Sequence, residues 1–239
     1  MTKRLLFCCF LVITCSANEH IDLPTSGNLF VSLGSTCEIA WFLRRYDQRP
    51  CALPFDWLYV ANHQGLIDII KDDFNFLLDK EHLAESGRAG RVWNTKYQIE
   101  FRHDWTKQGY NYERQYDNVL QKYKRRIERF RKIKDYPDKV YFCRCPVKNL
   151  RWALGISKES LQINDQQANT LYDALRKRFP SLDFSLIIVN YDENKRDVQF
   201  NPDGKFIKCL VRRAPKLKEE DYNYLFDRVL EHNKQMESL

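Results

Sequence analysis

One cysteine near the start of the chain has the surroundings of a reactive thiol. The apolar run at 29–33 is typical of a short buried strand, and 34–36 is a tight turn with hydroxyls that are candidate helix caps. Apolar residues then recur at helical spacing over 39–46, so Cys37 falls in the first turn of a helix. Free backbone N–H groups and the macrodipole stabilise an anion there. Cys37 is therefore a candidate nucleophile, with a small buried thiol as the alternative.

A cysteine nucleophile needs a base, and histidine accepts a proton near neutral pH. Of the five histidines, His103 is the best placed, because it follows the second strand of a short hairpin predicted at 92–94 and 97–101. The alternation predicts that His103 shares the apolar face of that strand, while Asp104 points the other way. The alternative is a partly buried structural histidine bonded to a carboxylate. His63, which follows an aromatic loop at 49–58, is a secondary candidate.

A third group would orient the imidazole. We favour Asp56 in the proline-rich loop, whose alternative role is to cap a helix starting at Trp57. Asn190 and Asp192 end a central strand and are held in reserve, with Asp104 less favoured.

The turn that carries Cys37 also supplies backbone donors. The amides at 36–37 could hold the oxyanion of an acyl-transfer reaction, or equally a phosphate or carboxylate without chemistry.

The first 17 residues have the pattern of a secretory signal. Lys3 and Arg4 precede an apolar run at 5–14 that is too short to span a bilayer, with cleavage predicted near Ala17. Cys15 raises a lipoprotein variant, which we rank second. We therefore expect an exported protein, periplasmic or secreted, with no transmembrane span once the signal is removed.

The remaining chain has the composition of a globular protein. It is 44% hydrophobic and 14% aromatic over 239 residues, which suits a single domain at 18–239. Five cysteines remain after the signal, an odd number that leaves at least one thiol unpaired. Their spacing, and that of the histidines, supports neither a zinc site nor any other metal or cofactor site.

The net charge of +7 is concentrated in one predicted helix. Its basic residues within 122–134 are Lys122, Lys124, Arg125, Arg126, Arg129, Arg131, Lys132 and Lys134. A solvated face is the default interpretation, and an anionic surface partner is the sharper one. Nothing has the form of a base-reading module, so we expect no sequence-specific nucleic-acid binding.

Strands and helices alternate along the second half of the chain. Strands are predicted at 140–145, 184–189 and 206–211, and the unbroken apolar run of the second is typical of a strand buried on both faces. Helices are predicted at 66–70, 112–130, 165–179 and 219–232, and residues 164–167 resemble a capping box that opens the third. This order predicts a three-layer α/β domain with a mostly parallel or mixed sheet. The alternative is an α+β arrangement in which the Cys37 helix packs against a separate sheet.

Three ordered segments resemble a known family. They are 31–37 with Leu43-Arg44-Arg45, then 54–57, then 101–105, and the similarity extends over about 28–145. The chain resembles a bacterial domain of unknown function described as a papain-like cysteine peptidase. The resemblance implies Cys37 as nucleophile and His103 as base.

These observations favour a cysteine-dependent hydrolase acting on a peptide or another amide-containing substrate. The competing hypothesis is a non-catalytic α/β module that binds an anionic or glycan ligand at the 34–37 turn, with Arg44 and Arg45 lining the pocket. A transferase that uses the same turn is a third hypothesis.

Overall fold

A computed structural model describes residues 22–35, 37–60, 62–85, 87, 89–105, 107, 110–146, 162–192, 194–212 and 219–237. The predicted signal segment with Cys15 lies outside these residues, and so do His20 and Thr36. Export and signal cleavage therefore stay predictions.

The described residues form nine strands in two sheets. The strands are β1 (Leu29–Ser32), β2 (Leu58–Tyr59), β3 (Leu83–Glu85), β4 (Val92–Asn94), β5 (Ile99–Phe101), β6 (Val140–Arg144), β7 (Phe184–Asp192), β8 (Asp197–Phe200) and β9 (Phe206–Arg212). The larger sheet has the order β1-β6-β7-β9-β8, and only β8 runs antiparallel to its neighbour. The smaller sheet is antiparallel, with the order β2-β5-β4-β3.

The helices supply the outer layers. They are α1 (Glu38–Arg45), α2 (His63–Lys71), α3 (Tyr112–Lys132), α4 (Asp165–Arg178) and α5 (Glu219–Glu237), with short 3₁₀ turns at Lys80–His82 and Ile133–Asp135. Apolar side chains of α2, α3 and α4 pack with one face of the larger sheet and with the smaller sheet. Apolar side chains of α1 and α5 pack on the opposite face. The three-layer α/β prediction is confirmed, and α1 packs on the parallel sheet rather than on a separate one.

Local sequence signals explain most of these elements. The predicted capping box is present, because the Asn164 side chain accepts from the Gln167 amide and the Gln167 side chain accepts from the Asn164 amide. Strand β7 is buried on both faces over most of its length, as its unbroken apolar run predicted. The smaller sheet was predicted only as its central hairpin, because β2 has two residues and β3 is largely exposed.

Candidate functional site around Cys37

Cys37 lies beyond the turn that joins the carboxyl end of β1 to α1. Gly34 has φ +72° and Ser35 has φ +95°, so two consecutive residues adopt left-handed conformations. Cys37 is the N-cap residue of α1 and has no side-chain cap hydrogen bond. It therefore precedes the helix that was predicted to include it, and its backbone carbonyl accepts from the Trp41 amide at 2.9 Å.

The strained turn is held by the loop at 53–60. A β-carbon on Gly34 would lie 3.1 Å from the Phe55 carbonyl oxygen and 3.3 Å from a methyl group of Val60. The Val60 amide donates to the Ser35 carbonyl at 3.2 Å, and Ser35 forms a parallel bridge with Tyr59. Because non-glycine residues avoid such φ values, this packing is what holds Ser35 in its left-handed conformation.

A buried arginine joins the same two segments. Arg144, at the end of β6, donates to the Leu33 carbonyl at 3.0 Å and to the Val60 carbonyl at 2.7 Å. No ion pair involving Arg144 occurs among the described residues, and burial lowers its guanidinium pKa to about 10. Burying a cation without a carboxylate is costly. Its hydrogen bonds to the two carbonyl groups instead link the chain before the turn, at Leu33, to the end of the loop at 53–60.

A buried carboxylate anchors the start of α1. Glu38 follows Cys37 directly, and one of its carboxylate oxygens accepts from the Tyr191 hydroxyl at 3.1 Å and from the Tyr222 hydroxyl at 3.2 Å. These bonds tie α1 to the end of β7 and to α5. Glu38 carries no distinctive signal in the sequence, because a glutamate in the first turn of a helix is common on macrodipole grounds alone.

Cys37 differs from the other thiols of the described chain. Five cysteines are free, and four of them are buried, whereas Cys37 is partly exposed. Burial raises the pKa of the Cys37 thiol, and the Glu38 carboxylate raises it further. A backbone N–H at Cys37 and the Arg102 guanidinium oppose that rise. The expectation of a depressed pKa is therefore wrong in sign, because partial burial outweighs the helix start.

His103 is exposed and lies beyond the end of β5. The strand stops at Phe101 and the chain bends, so the predicted alternation fails: His103 is exposed and Asp104 is buried. The imidazole packs edge-on against the Trp57 indole, with 5.8 Å between the ring centres. Partial burial lowers the His103 pKa, and Arg102 lowers it further. Within the described residues, no hydrogen bond joins the His103 imidazole to the Cys37 thiol.

The four candidate orienting residues have other partners. Asp56 accepts hydrogen bonds from the Arg49 side chain and the Leu53 amide, and Asp104 accepts them from the side chains of Tyr123, Lys122 and Arg126. Asp192 accepts from the backbone amides of Asn194 and Lys195. The Asn190 side chain forms hydrogen bonds with the backbone of Ile163. None of these groups bonds to His103 in the described part of the chain. Asp56 reaches His103 only indirectly, since the Arg49 guanidinium lies over the Trp57 ring at 5.4 Å. The catalytic role of Asp56 stays a prediction.

Asp56 does not cap a helix. The residues at 54–57 form turns, and β2 follows at Leu58, so the helix expected from Trp57 is absent from this described segment. The fully buried carboxylate fixes the loop instead, through the Leu53 amide at 2.8 Å.

The secondary candidate His63 is partly buried and contacts the backbone of α4. One imidazole nitrogen lies 2.9 Å from the Gln167 carbonyl oxygen, which fits donation by that nitrogen. Burial and the nearby Arg144 charge lower the His63 pKa to about 4.

Most of the basic run on α3 serves the fold. The following contacts are intramolecular: Lys122 and Arg126 with Asp104, Arg129 with the Ala52 carbonyl, Arg131 with Asp73, and Lys132 with Asp22. A groove of about 410 Å³ is lined by Asp22, Lys124, Arg125, Glu128, Arg129 and Lys132, so two carboxylates lie among its cations. The anionic-partner hypothesis stays a prediction, and fewer cations are available for it than the sequence suggested.

Other features of the described residues lie away from Cys37 or are absent there. They contain no cluster of three or more His, Cys, Asp or Glu side chains that could hold a metal ion. A cavity of about 270 Å³ lies near the amino ends of the parallel strands, beside Lys139, Ser185 and His232, at the opposite sheet edge from Cys37. No helix in the described ranges is both long enough and apolar enough to cross a bilayer.

Comparison with known proteins places the chain in a family. An uncharacterised protein of Acanthamoeba polyphaga mimivirus is 28% identical over 158 residues, which cover 58% of this chain and 69% of that protein. This relative is viral, so the bacterial origin expected for the family is not confirmed. No solved structure matches. A family model described as "Putative papain-like cysteine peptidase (DUF1796)" matches residues 28–194, and because that match spans most of the chain, the protein belongs to this family.

Proposed function

We propose that the protein is a cysteine-dependent hydrolase that cleaves an amide or related acyl bond, with Cys37 as nucleophile and His103 as base. The observation that carries this proposal is the exposure of Cys37. It is the one partly exposed thiol among the five described cysteines, and it lies at a helix start behind a strained, tightly packed turn. The family description supports the same class of activity.

The protonation states suit a base-assisted attack. Burial keeps the Cys37 thiol protonated at rest, whereas the lowered His103 pKa keeps the imidazole neutral near pH 7. In the reaction the imidazole takes the thiol proton as sulfur bonds to the acyl carbon, and then gives that proton to the leaving amine. Water hydrolyses the resulting thioester and regenerates the thiol. Because His103 is exposed and makes no bond to Cys37 at rest, this step requires the imidazole to turn toward the sulfur.

Two further groups have supporting roles in this proposal. Backbone N–H groups at the start of α1 are the donors for the developing oxyanion. Asp56 orients His103 indirectly, since its carboxylate fixes Arg49, Arg49 lies over Trp57, and Trp57 contacts the imidazole. Replacing Asp56 is therefore expected to affect loop order as well as rate.

The test is formation of an acyl-enzyme with p-nitrophenyl acetate as a generic acyl donor. We expect one acetyl group on the Cys37 peptide by mass spectrometry, with release of p-nitrophenolate. Cys37→Ala abolishes this product, and His103→Ala slows it by roughly 10²-fold or more. Cys51→Ala is the matched control, because the Cys51 thiol is buried with its pKa raised to about 11. Equal acetylation of wild type and Cys37→Ala would refute the proposal.

One observation favours the second candidate, a non-catalytic binding module. Trp41 is 43% exposed, one helical turn after Cys37, and the Arg45 guanidinium lies 5.3 Å from its ring centre. An exposed indole beside a guanidinium suits a glycan or anionic ligand. This candidate predicts ligand binding that Trp41→Ala abolishes and Cys37→Ala leaves unchanged, with no acyl-enzyme.

A further inference from the structure

Arg102 is fixed beside the turn that carries Cys37. Its guanidinium lies over the Tyr59 ring, 3.5 Å from the ring centre, and forms an ion pair with Glu100. Tyr59 and Glu100 are register partners in β2 and β5. Tyr59 in turn forms the bridge to Ser35, two residues before Cys37. The contacts therefore run directly from Arg102 through Tyr59 to the turn.

We propose that Arg102 is a positioning residue that stabilises negative charge on the Cys37 sulfur during the reaction. This inference rests on the proposed function. The stacked and ion-paired guanidinium cannot swing freely, so its charge stays in place without an ordering cost at the moment of attack. Replacing Arg102 by a neutral residue removes that charge while the nucleophile itself remains.

Arg102 acts on both proposed partners in the proton transfer. Its charge lowers the pKa of Cys37 and also that of His103, so it favours a sulfur anion and a neutral imidazole. The other charge that acts on Cys37 is the Glu38 carboxylate, which raises the pKa. Around His103, Asp104 raises the pKa, whereas Lys107 and Arg91 lower it. Arg102 is thus the cation common to both groups.

Arg91 provides a matched control. It pairs with the same carboxylate as Arg102, with 3.6 Å between an Arg91 nitrogen and a Glu100 oxygen, and it acts on His103 but not on Cys37. Arg91→Gln therefore removes a cation from the same cluster while leaving the charge beside the thiol. If loss of any cation near Glu100 changes the reactivity of Cys37, both variants will show the change. If Arg102 acts specifically, only its variant will.

The experiment measures the rate at which iodoacetamide alkylates Cys37 as a function of pH, using the Cys37 peptide as mass-spectrometric readout. The full-length wild type, Arg102→Gln, Arg102→Lys and Arg91→Gln are compared. We expect Arg102→Gln to raise the apparent pKa of Cys37 by about half a unit and to slow alkylation near neutral pH by roughly threefold. Arg102→Lys restores most of the wild-type profile, and Arg91→Gln matches the wild type.

The outcomes separate the two proposals. An unchanged profile in folded Arg102→Gln, as judged by circular dichroism, overturns the role of Arg102 but leaves the hydrolase proposal intact. Failure to form an acyl-enzyme overturns the hydrolase, and the alkylation profile still reports on Arg102. Should Arg102→Gln not fold, Arg102→Met gives the second measurement, because its apolar stem can still cover the Tyr59 ring while the charge is gone. A raised Cys37 pKa is expected in that variant, and an unshifted pKa contradicts the role of Arg102.

Discussion

Cys37 and Cys145 follow the carboxyl ends of two neighbouring parallel strands, yet their thiols have different environments. Cys145 comes directly after β6 and is fully buried, and burial raises its pKa to about 12. Cys37 comes five residues after β1 ends, beyond a turn with two left-handed residues, and is partly exposed. The end of a strand therefore does not by itself expose a thiol. The turn at Gly34 and Ser35 carries Cys37 out of the sheet.

One carboxylate acts on the pKa of both thiols, and a different guanidinium acts on each of them. The Glu38 carboxylate raises the pKa of both. Arg102 acts on Cys37 from the side of the smaller sheet, whereas Arg144 acts on Cys145 from within the larger one. Because both thiols have a nearby guanidinium, the difference between them comes mainly from burial.

The largest expected effect is the contrast in thiol reactivity. In the folded protein, iodoacetamide should modify Cys37 about 10³-fold faster than Cys145, because burial reduces both the thiolate fraction and the access of the reagent to Cys145. Peptide mapping by mass spectrometry over time measures both rates. In concentrated guanidinium chloride the rates should become similar. Comparable rates in the folded state would show that the turn does not distinguish the two sites.

Replacing Arg144 should reduce the difference in thiol reactivity between Cys37 and Cys145. Arg144→Ala leaves the carbonyl groups of Leu33 and Val60 without their donor and creates a cavity, which should lower the free energy of unfolding by about 3 kcal/mol. Urea unfolding followed by fluorescence measures the change. Cys145 should also become more reactive, because its neighbour in β6 no longer fills the space. Arg144→Lys, which keeps the charge and a donor group, should lose less unfolding free energy. A fully stable Arg144→Ala would show that Arg144 does not hold the segments at Leu33 and Val60 together.

The turn itself can be tested with a pair of glycines. Gly34→Ala combines a left-handed alanine with a β-carbon 3.1 Å from the Phe55 carbonyl oxygen, so we expect a loss of about 2–3 kcal/mol and altered Cys37 alkylation. Gly204 has a similar φ of +67° but open space around its β-carbon position. Gly204→Ala should cost only about 1 kcal/mol in the same urea measurement. Equal losses would mean that φ alone, not the packed loop, matters at Gly34.

Elements with strong local signals could be predicted from the sequence. The 3.6-residue periodicity of α3, the capping box of α4 and the apolar run of β7 each belong to one continuous segment, and all three are present. The short strand β2 carries no such signal, since two residues show no period. It forms because it pairs with Phe101 and Glu100, about forty residues later in the chain.

The candidate site was predictable in part. Cys37 at a helix start follows from local spacing, but the sign of its pKa shift depends on how far the fold buries the thiol, which no local pattern reveals. The role of Arg102 depends on a stacking contact with a residue of a different strand. Arg144 left a detectable signal, because a charged residue in the otherwise apolar strand β6 must find partners. His103 was misplaced because β5 ends at Phe101.

The smallest expected effect concerns two histidines that differ in exposure, since His63 is partly buried and His103 is exposed. Below its ordinary pKa of 6.5, His63 takes up a proton more readily unfolded than folded, where its pKa is about 4. Stability that is present above pH 6.5 is therefore lost as the pH falls toward 4, by about 1 kcal/mol after allowance for partial exposure of the ring. Urea unfolding at a series of pH values should show this loss in the wild type and less of it in His63→Gln. His103→Gln, which changes a more exposed ring whose pKa is lowered less, should reduce the slope less than His63→Gln does. The same slope in all three proteins would place the titrating group elsewhere.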